Sequence, residues 1–281
     1  MIFDRQLHTM PWIGRFAWEN TLVRPDAGKY TVLMGMEDGP NTTDNQLYMW
    51  VGVKDKKAKE PLAKNGMARD CGALYVLVPD NAAEIDESVV TSGSINAHWV
   101  VVENAEAYSD TELEVATDAL GAFGFVRIED GAFDKKDANT FYFVTTGSGA
   151  VNVLGRLYKL QLNKHNPAGP CKLTIIYNAD TIVAGGGDIA ISPDNIDTSR
   201  DYIMINEDGT SQSRAVMASK GRERPHLASR HQEQLRGDAR GRTESPRHHP
   251  DHQCGDHCRP ARNLQRHPGY RPRRVGDHRH H

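Results

Sequence analysis

The 281-residue chain carries 34 Lys and Arg against 37 Asp and Glu, a near-neutral balance that hides two unlike parts. Residues 1–220 hold 20 basic against 30 acidic side chains, a net charge of −10, whereas residues 221–281 hold 14 basic, all Arg, against 7 acidic. An acidic body with Asp and Asn in its loops suits hard divalent cations, argues against nucleic acid as a partner, and contains no stretch of membrane-spanning length.

About 220 residues are enough for one large all-β domain. The start, Met1 to Arg5, has no apolar signal region, so no export signal is read in this chain. Cys71 and Cys171 are the only cysteines of the body and imply no disulfide framework.

Taken in chain order, the body repeats one unit. Trp18-Glu19-Asn20 leads through the polar turn Arg24 to Gly28 into a strand from Tyr30 to Met34, then Glu37-Asp38-Gly39, then an aromatic-bearing strand from Gln46 to Trp50. Further strands are predicted from Ala73 to Val78 and from His98 to Val102. Ser109 and Glu112 form a capping box, and Leu113, Ala116, Thr117 and Leu120 follow at helical spacing, which predicts a small helical insertion. The second copy runs from Glu129-Asp130-Gly131 to strands at Phe141 to Val144 and Gly155 to Leu160, with another strand from Lys172 to Tyr177. In the third copy Pro193 to Asp197 leads into Tyr202 to Ile205 and Glu207-Asp208-Gly209, and no aromatic-bearing strand follows.

Each unit therefore reads as an acidic loop, an apolar strand, a turn and an aromatic-bearing strand, at the spacing of antiparallel blades. The expected architecture is all-β: an incomplete β-propeller with a small helical insertion over residues 1–220, followed by a disordered tail over 221–281.

The tail holds 10 of the 13 His, 6 Pro and no Lys, Phe, Trp, Ile or Met, a composition that cannot bury a core. Arg, His and Pro are also what strand residues and glycines become when GC-rich codons are read one base out of register. Shifted by one base, the degenerate codons of Gly269 to His281 permit a strand-turn sequence containing Gly-Val-Trp-Glu, and those after Arg222 permit Gly-His-Ile-Trp. The latter falls where the third copy lacks its aromatic strand. A frameshift near Gly221 is therefore expected, with a disordered basic tail as the alternative. The stretch from His248 to Cys258 has the composition of a zinc site, which a shifted frame reduces to misread codons.

Loops at one end of propeller strands converge on a central channel, so acidic groups from successive copies can meet there. Glu19, Glu37, Glu129, Asp130, Asp194, Asn195, Glu207 and Asp208 are the candidate metal ligands, since carboxylates and Asn carbonyls suit calcium and a carboxylate-rich site suits iron. Taken singly, each of these positions reads equally well as a turn former. The repeated set points to ligation. No catalytic side chain is singled out.

Gly14 to Asn20, Arg127 to Gly131 with Phe141 to Thr146, and Pro193 to Asn195 with Glu207 to Gly209 together resemble the PhoX-type alkaline phosphatase family, bacterial propeller enzymes. The likeness spans most of residues 14–220. It implies calcium together with iron, hydrolysis of phosphate monoesters, a periplasmic or secreted location, and Glu19, Glu129 and Glu207 as ligands at the channel. Two departures stand out: Trp18 occupies a position where the family has His, and the family's Cys-Glu-Glu segment has no counterpart before Gly14. With the frameshift, the resemblance implies a fragment of a metal-dependent phosphatase, truncated at both ends and inactive in this form. A lactonase-type propeller hydrolase and a non-catalytic calcium-binding propeller module are the alternatives.

Overall fold

The computed structural model describes residues 2–3, 5–25, 28–222 and 227–231. A short hairpin of β1 (Ile2–Phe3) and β2 (Gln6–Leu7) precedes three antiparallel meanders. The first consists of β3 (Trp18–Val23), β4 (Tyr30–Glu37), β5 (Leu47–Val53), β6 (Gly72–Pro79) and β7 (Ser94–Val101), with the one-turn helix α1 (Pro61–Lys64) before β6. Helix α2 (Asp110–Ala119) leads to the second, β8 (Ile128–Phe133), β9 (Thr140–Thr145), β10 (Arg156–Gln161) and β11 (Cys171–Asn178). After α3 (Ala179–Ala184) comes the third, β12 (Pro193–Thr198) and β13 (Tyr202–Glu207), then α4 (Arg214–Ser219) and β14 (Leu227–His231).

These strands realise the all-β class and the helical insertion read from the sequence. Ser109 caps α2 as expected: its side chain accepts the Glu112 N–H while Glu112 reaches back to the Ser109 N–H. Leu113 and Thr117 form the buried face of the helix.

Strand alternation explains how the meanders stack. Side chains of a strand point to opposite faces in turn. On β4, Val32, Met34 and Met36 enter one core and Leu33 another; on β5, Leu47, Met49 and Val51 enter the first while Tyr48 and Trp50 enter the second. On β9, Phe141 and Phe143 meet the β4 and β5 residues in the first core, whereas Tyr142 and Val144 turn to a third core shared with Ile196, Ile203 and Ile205. The first core thus fills the space enclosed by the first two meanders, the second lies between the first meander and its helices α1 and α2, and the third lies between the second and third meanders. Phe143 stacks on Tyr158 at 4.9 Å between ring centres, and Phe125 meets both edge-on, contacts that add about 0.5–1.5 kcal/mol each beyond burial.

The first two meanders form one continuous sheet rather than two separate ones. Cys171 to Thr174 of β11 pair with Ala97 to Ser94 of β7, giving nine strands in the order β3-β4-β5-β6-β7-β11-β10-β9-β8. The sheet curls until its two edge strands meet and nearly closes into a barrel, with Asn20 of β3 donating to Asp130 of β8 at 2.6 Å. β12 lies along β8: Thr198 Oγ1 donates to the Phe133 carbonyl at 2.6 Å and the Ile196 N–H to Asp130 at 3.0 Å.

One sequence expectation is corrected. The segments read as acidic loops at Glu19, Glu129 and Asp194 are the first strands of their meanders. Each carries a bulge, which with its polar residues hides the period-two pattern. The third meander has a third strand, β14, which pairs with Tyr202 to Asn206 of β13 and bears no Phe, Tyr or Trp. The rest of the Arg- and His-rich segment, with the zinc-like stretch from His248 to Cys258 and the shifted-frame segment from Gly269 to His281, lies outside the described residues.

Candidate metal centre

The three first strands are equivalent in register. Trp18 faces Glu37, Ile128 faces Thr145 and Pro193 faces Glu207, in each case the first residue of one strand against the last of the next. One residue further on, the same backbone hydrogen bond recurs: Asp38 N–H to Ala17 at 3.0 Å, Thr146 N–H to Arg127 at 3.0 Å, and Asp208 N–H to Ser192 at 2.9 Å. Glu19, Glu129 and Asp194 therefore occupy one repeated position, each the second residue of its strand and each in a bulge. At Gly131 the bulge requires a glycine, because a Cβ there would lie 2.2 Å from the Phe141 ring.

This repetition brings carboxylates together. Oxygens of Glu19, Asp38 and Glu129 lie within 4.8 Å of one another, and Asp194 shares a hydrogen bond with Glu129. Arg127 joins the group from the start of β8, gripping Asp38 through Nε at 2.7 Å and Nη2 at 2.9 Å while Nη2 also reaches Glu129 at 2.8 Å. Its backbone is left-handed, with φ of 59°. For a non-glycine residue that conformation costs on the order of 1–3 kcal/mol and is held by its surroundings.

The electrostatics show too little positive charge. Burial first, then Asp38, Asp194 and Glu19, push the Glu129 carboxyl up to about 8, with Arg127 opposing. Glu19 is raised by burial and by Asp38 and Asp194, and Asp194 by burial and by Asp208. Hydrogen bonds to Asp38 hold the Arg127 charge more firmly than usual. One guanidinium among four clustered carboxylates leaves an uncompensated negative site of oxygen donors, which fits hard cations.

The other predicted residues have different settings. Asp130 accepts from Asn20 at 2.6 Å, its neighbour Gly131 N–H at 2.7 Å and Ile196 N–H at 3.0 Å, tying β3, β8 and β12 together. Asp208 acts electrostatically on Asp194, and Asn195 is exposed beside it. Glu37 and Glu207 are buried at the ends of second strands and outside the cluster: Glu37 accepts the Gln46 N–H at 2.8 Å, and Glu207 accepts the Ile191 N–H at 2.7 Å and pairs with Arg222. Asp38 and Arg127 were not singled out from sequence. Asp38 stood next to the chosen Glu37, and an arginine with left-handed backbone has no sequence signature.

Residues 5–254 match the family model described as Alkaline phosphatase PhoX. The chain belongs to this family. No curated protein and no solved structure matches it. The PhoX match covers all three meanders and continues beyond Lys220 into the Arg- and His-rich segment. PhoX proteins are metal-dependent phosphatases, generally extracytoplasmic, so a phosphatase-type function on phosphate esters and an acidic metal site go together here. Among the described residues no helix is long and apolar enough to cross a membrane.

Proposed function

We propose that the chain carries the metal-binding part of a phosphate monoesterase, with Glu19, Asp38, Glu129 and Asp194 as ligands for calcium and, by family likeness, iron. The observation that supports this reading is the recurrence of a carboxylate at one bulge position in three meanders, gathered around a single guanidinium. Bound cations supply Lewis acidity to the phosphoryl oxygens and offset charge on the attacking and leaving oxygens.

The protein's own contribution is positional. The bulges aim Glu19, Glu129 and Asp194 at one region, and Asp130 keeps their strands in register. Arg127 is held by Asp38 and Glu129 through Nε and Nη2, which leaves Nη1 as the donor it can offer to a phosphoryl oxygen beside the cluster. We place this activity in the periplasm or outside the cell, where calcium suits an all-oxygen site.

The test is hydrolysis of p-nitrophenyl phosphate by chelated protein before and after adding calcium, iron or both, with calcium binding followed by calorimetry. Metal-dependent release of p-nitrophenol is expected from this metal site, and it would overturn the inactivity read from the sequence. Calcium binding without hydrolysis of any phosphate ester would leave a non-catalytic calcium module, and hydrolysis of lactones alone would move the protein to a different reaction class.

A further inference from the structure

Glu87, in the loop between β6 and β7, is completely buried, yet neither the apolar cores nor the carboxylate cluster uses it. Its carboxylate accepts from Val126 N–H at 3.0 Å, Asn152 Nδ2 at 2.9 Å, Thr145 Oγ1 at 3.1 Å and Tyr158 O–H at 2.5 Å. Arg156, also buried, lies close enough to favour its charge and donates to the Val90 carbonyl at 2.9 Å. Burial still dominates and pushes Glu87 upward. Burying two opposite charges is costly, and apolar side chains of similar volume often serve stability as well. Its contacts therefore call for another explanation.

Those contacts frame Arg127. Val126 immediately precedes it, and Thr145 precedes Thr146, whose N–H donates to the Arg127 carbonyl at 3.0 Å. The third meander repeats the device with its own residues. Ser192, equivalent to Arg127, is also left-handed, with φ of 46°, and the N–H of the preceding Ile191 is held by Glu207 at 2.7 Å. In the second meander Thr145 occupies the place of Glu207 and is too short to reach, so its hydroxyl binds Glu87, which grips the Val126 N–H instead. In the first meander Glu37 binds the Gln46 N–H, and Ala17 does not have a positive φ. At this repeated position the left-handed backbone occurs in the two meanders where a buried carboxylate holds the preceding N–H, and not in the first.

We infer that Glu87 is a positioning residue: by holding Val126 and Thr145 on either side of Arg127, it fixes the left-handed backbone that aims the guanidinium at Asp38 and Glu129. Its functional consequence rests on the phosphoryl-binding role proposed for Arg127; its geometric consequence does not.

The experiment reads both. The Arg127 Nε–H, held by Asp38, gives a protected NMR resonance, assigned by its loss in Arg127→Lys. Two variants are compared with wild type at temperatures where all are folded: Glu87→Gln, and Glu87→Leu with Arg156→Met, which removes both buried charges together. The protected resonance is expected to be lost in the double variant and weakened in Glu87→Gln. Calorimetric affinity for inorganic phosphate should fall on the order of tenfold in the double variant. In an Arg127→Ala background the same changes should alter phosphate affinity by less than about twofold while shifting Tm by the same amount as in the wild-type background. An unchanged resonance in both folded variants, or losses of affinity that multiply in the Arg127→Ala background, overturns the inference. Wild type that shows the protected resonance but binds no phosphate refutes the proposed function and leaves the positioning role standing on the resonance.

Discussion

Arg127 and Asp38, 89 residues apart, are joined by two parallel hydrogen bonds of 2.7 and 2.9 Å that tie the start of β8 to the end of β4. Arg127→Lys keeps a positive charge but loses the fork. It should raise KM for p-nitrophenyl phosphate about tenfold or more and leave calcium affinity within about threefold, as read from steady-state kinetics and calorimetry on the same preparation. Equal losses in both would make Arg127 a support of the metal ligands alone.

Calcium should stabilise the protein, because binding to the folded state alone raises Tm with concentration. Chelation should lower Tm of wild type, and Glu129→Gln should remove most of that response. In chelator near pH 7, Glu129→Gln should itself be more stable than wild type by about 1 kcal/mol, since the amide avoids the cost of taking up a proton at a carboxyl raised to about 8. A urea series with and without calcium measures both effects.

Asp130→Ala should behave in the opposite way. It leaves the Asn20 amide and the Gly131 and Ile196 N–H groups without their acceptor. A loss of roughly 3 kcal/mol is expected whether or not calcium is present. If Asp130→Ala instead abolished calcium binding at unchanged stability, Asp130 would be a ligand, as the sequence reading had it.

Glu37 sets a pH dependence. Burial first, with Glu114, Asp110 and Asp44 adding and the Gln46 N–H opposing, raises its carboxyl from 4.5 to about 8. A folded pKa above the unfolded one gives stability that is present below the unfolded value and lost as pH rises through the folded value. Chelated protein should therefore become less stable between pH 4.5 and about 8, and Glu37→Gln should flatten that slope in urea titrations at a series of pH values. An unaltered slope in the variant would assign the dependence to other groups.

Much of the scaffold was legible because its strands announce themselves. Tyr30 to Met34, Ala73 to Val78, Phe141 to Val144 and Lys172 to Tyr177 are apolar or alternating, and Ser109 with Glu112 marks a helix start by chemistry alone. The first strands were hidden because a bulge at Glu19, Glu129 and Asp194 breaks their alternation. That same concealment misaligned the repeat. Glu129-Asp130-Gly131 looks like Glu37-Asp38-Gly39 and Glu207-Asp208-Gly209, but it opens a first strand where the others close a second. Acidic residues were found as a class, while the partition between Asp194 in the cluster and Glu207 outside it depends on register. Glu87 and Arg127 meet their partners, Val126 N–H and Thr145 for the one and Asp38 for the other, only through folding, and nothing local in the sequence marks them.

The pairing of β7 with β11 also bears on how the molecule comes apart. Zipped along one ladder, the first two meanders should melt as a single cooperative unit, whereas the third is attached to them by side chains and isolated hydrogen bonds such as that of Thr198 to Phe133. Partial unfolding should begin by peeling away β12 and β13, removing Asp194 while Glu19, Asp38 and Glu129 stay together. The grip on a cation would then slacken before the greater part of the chain has lost any structure.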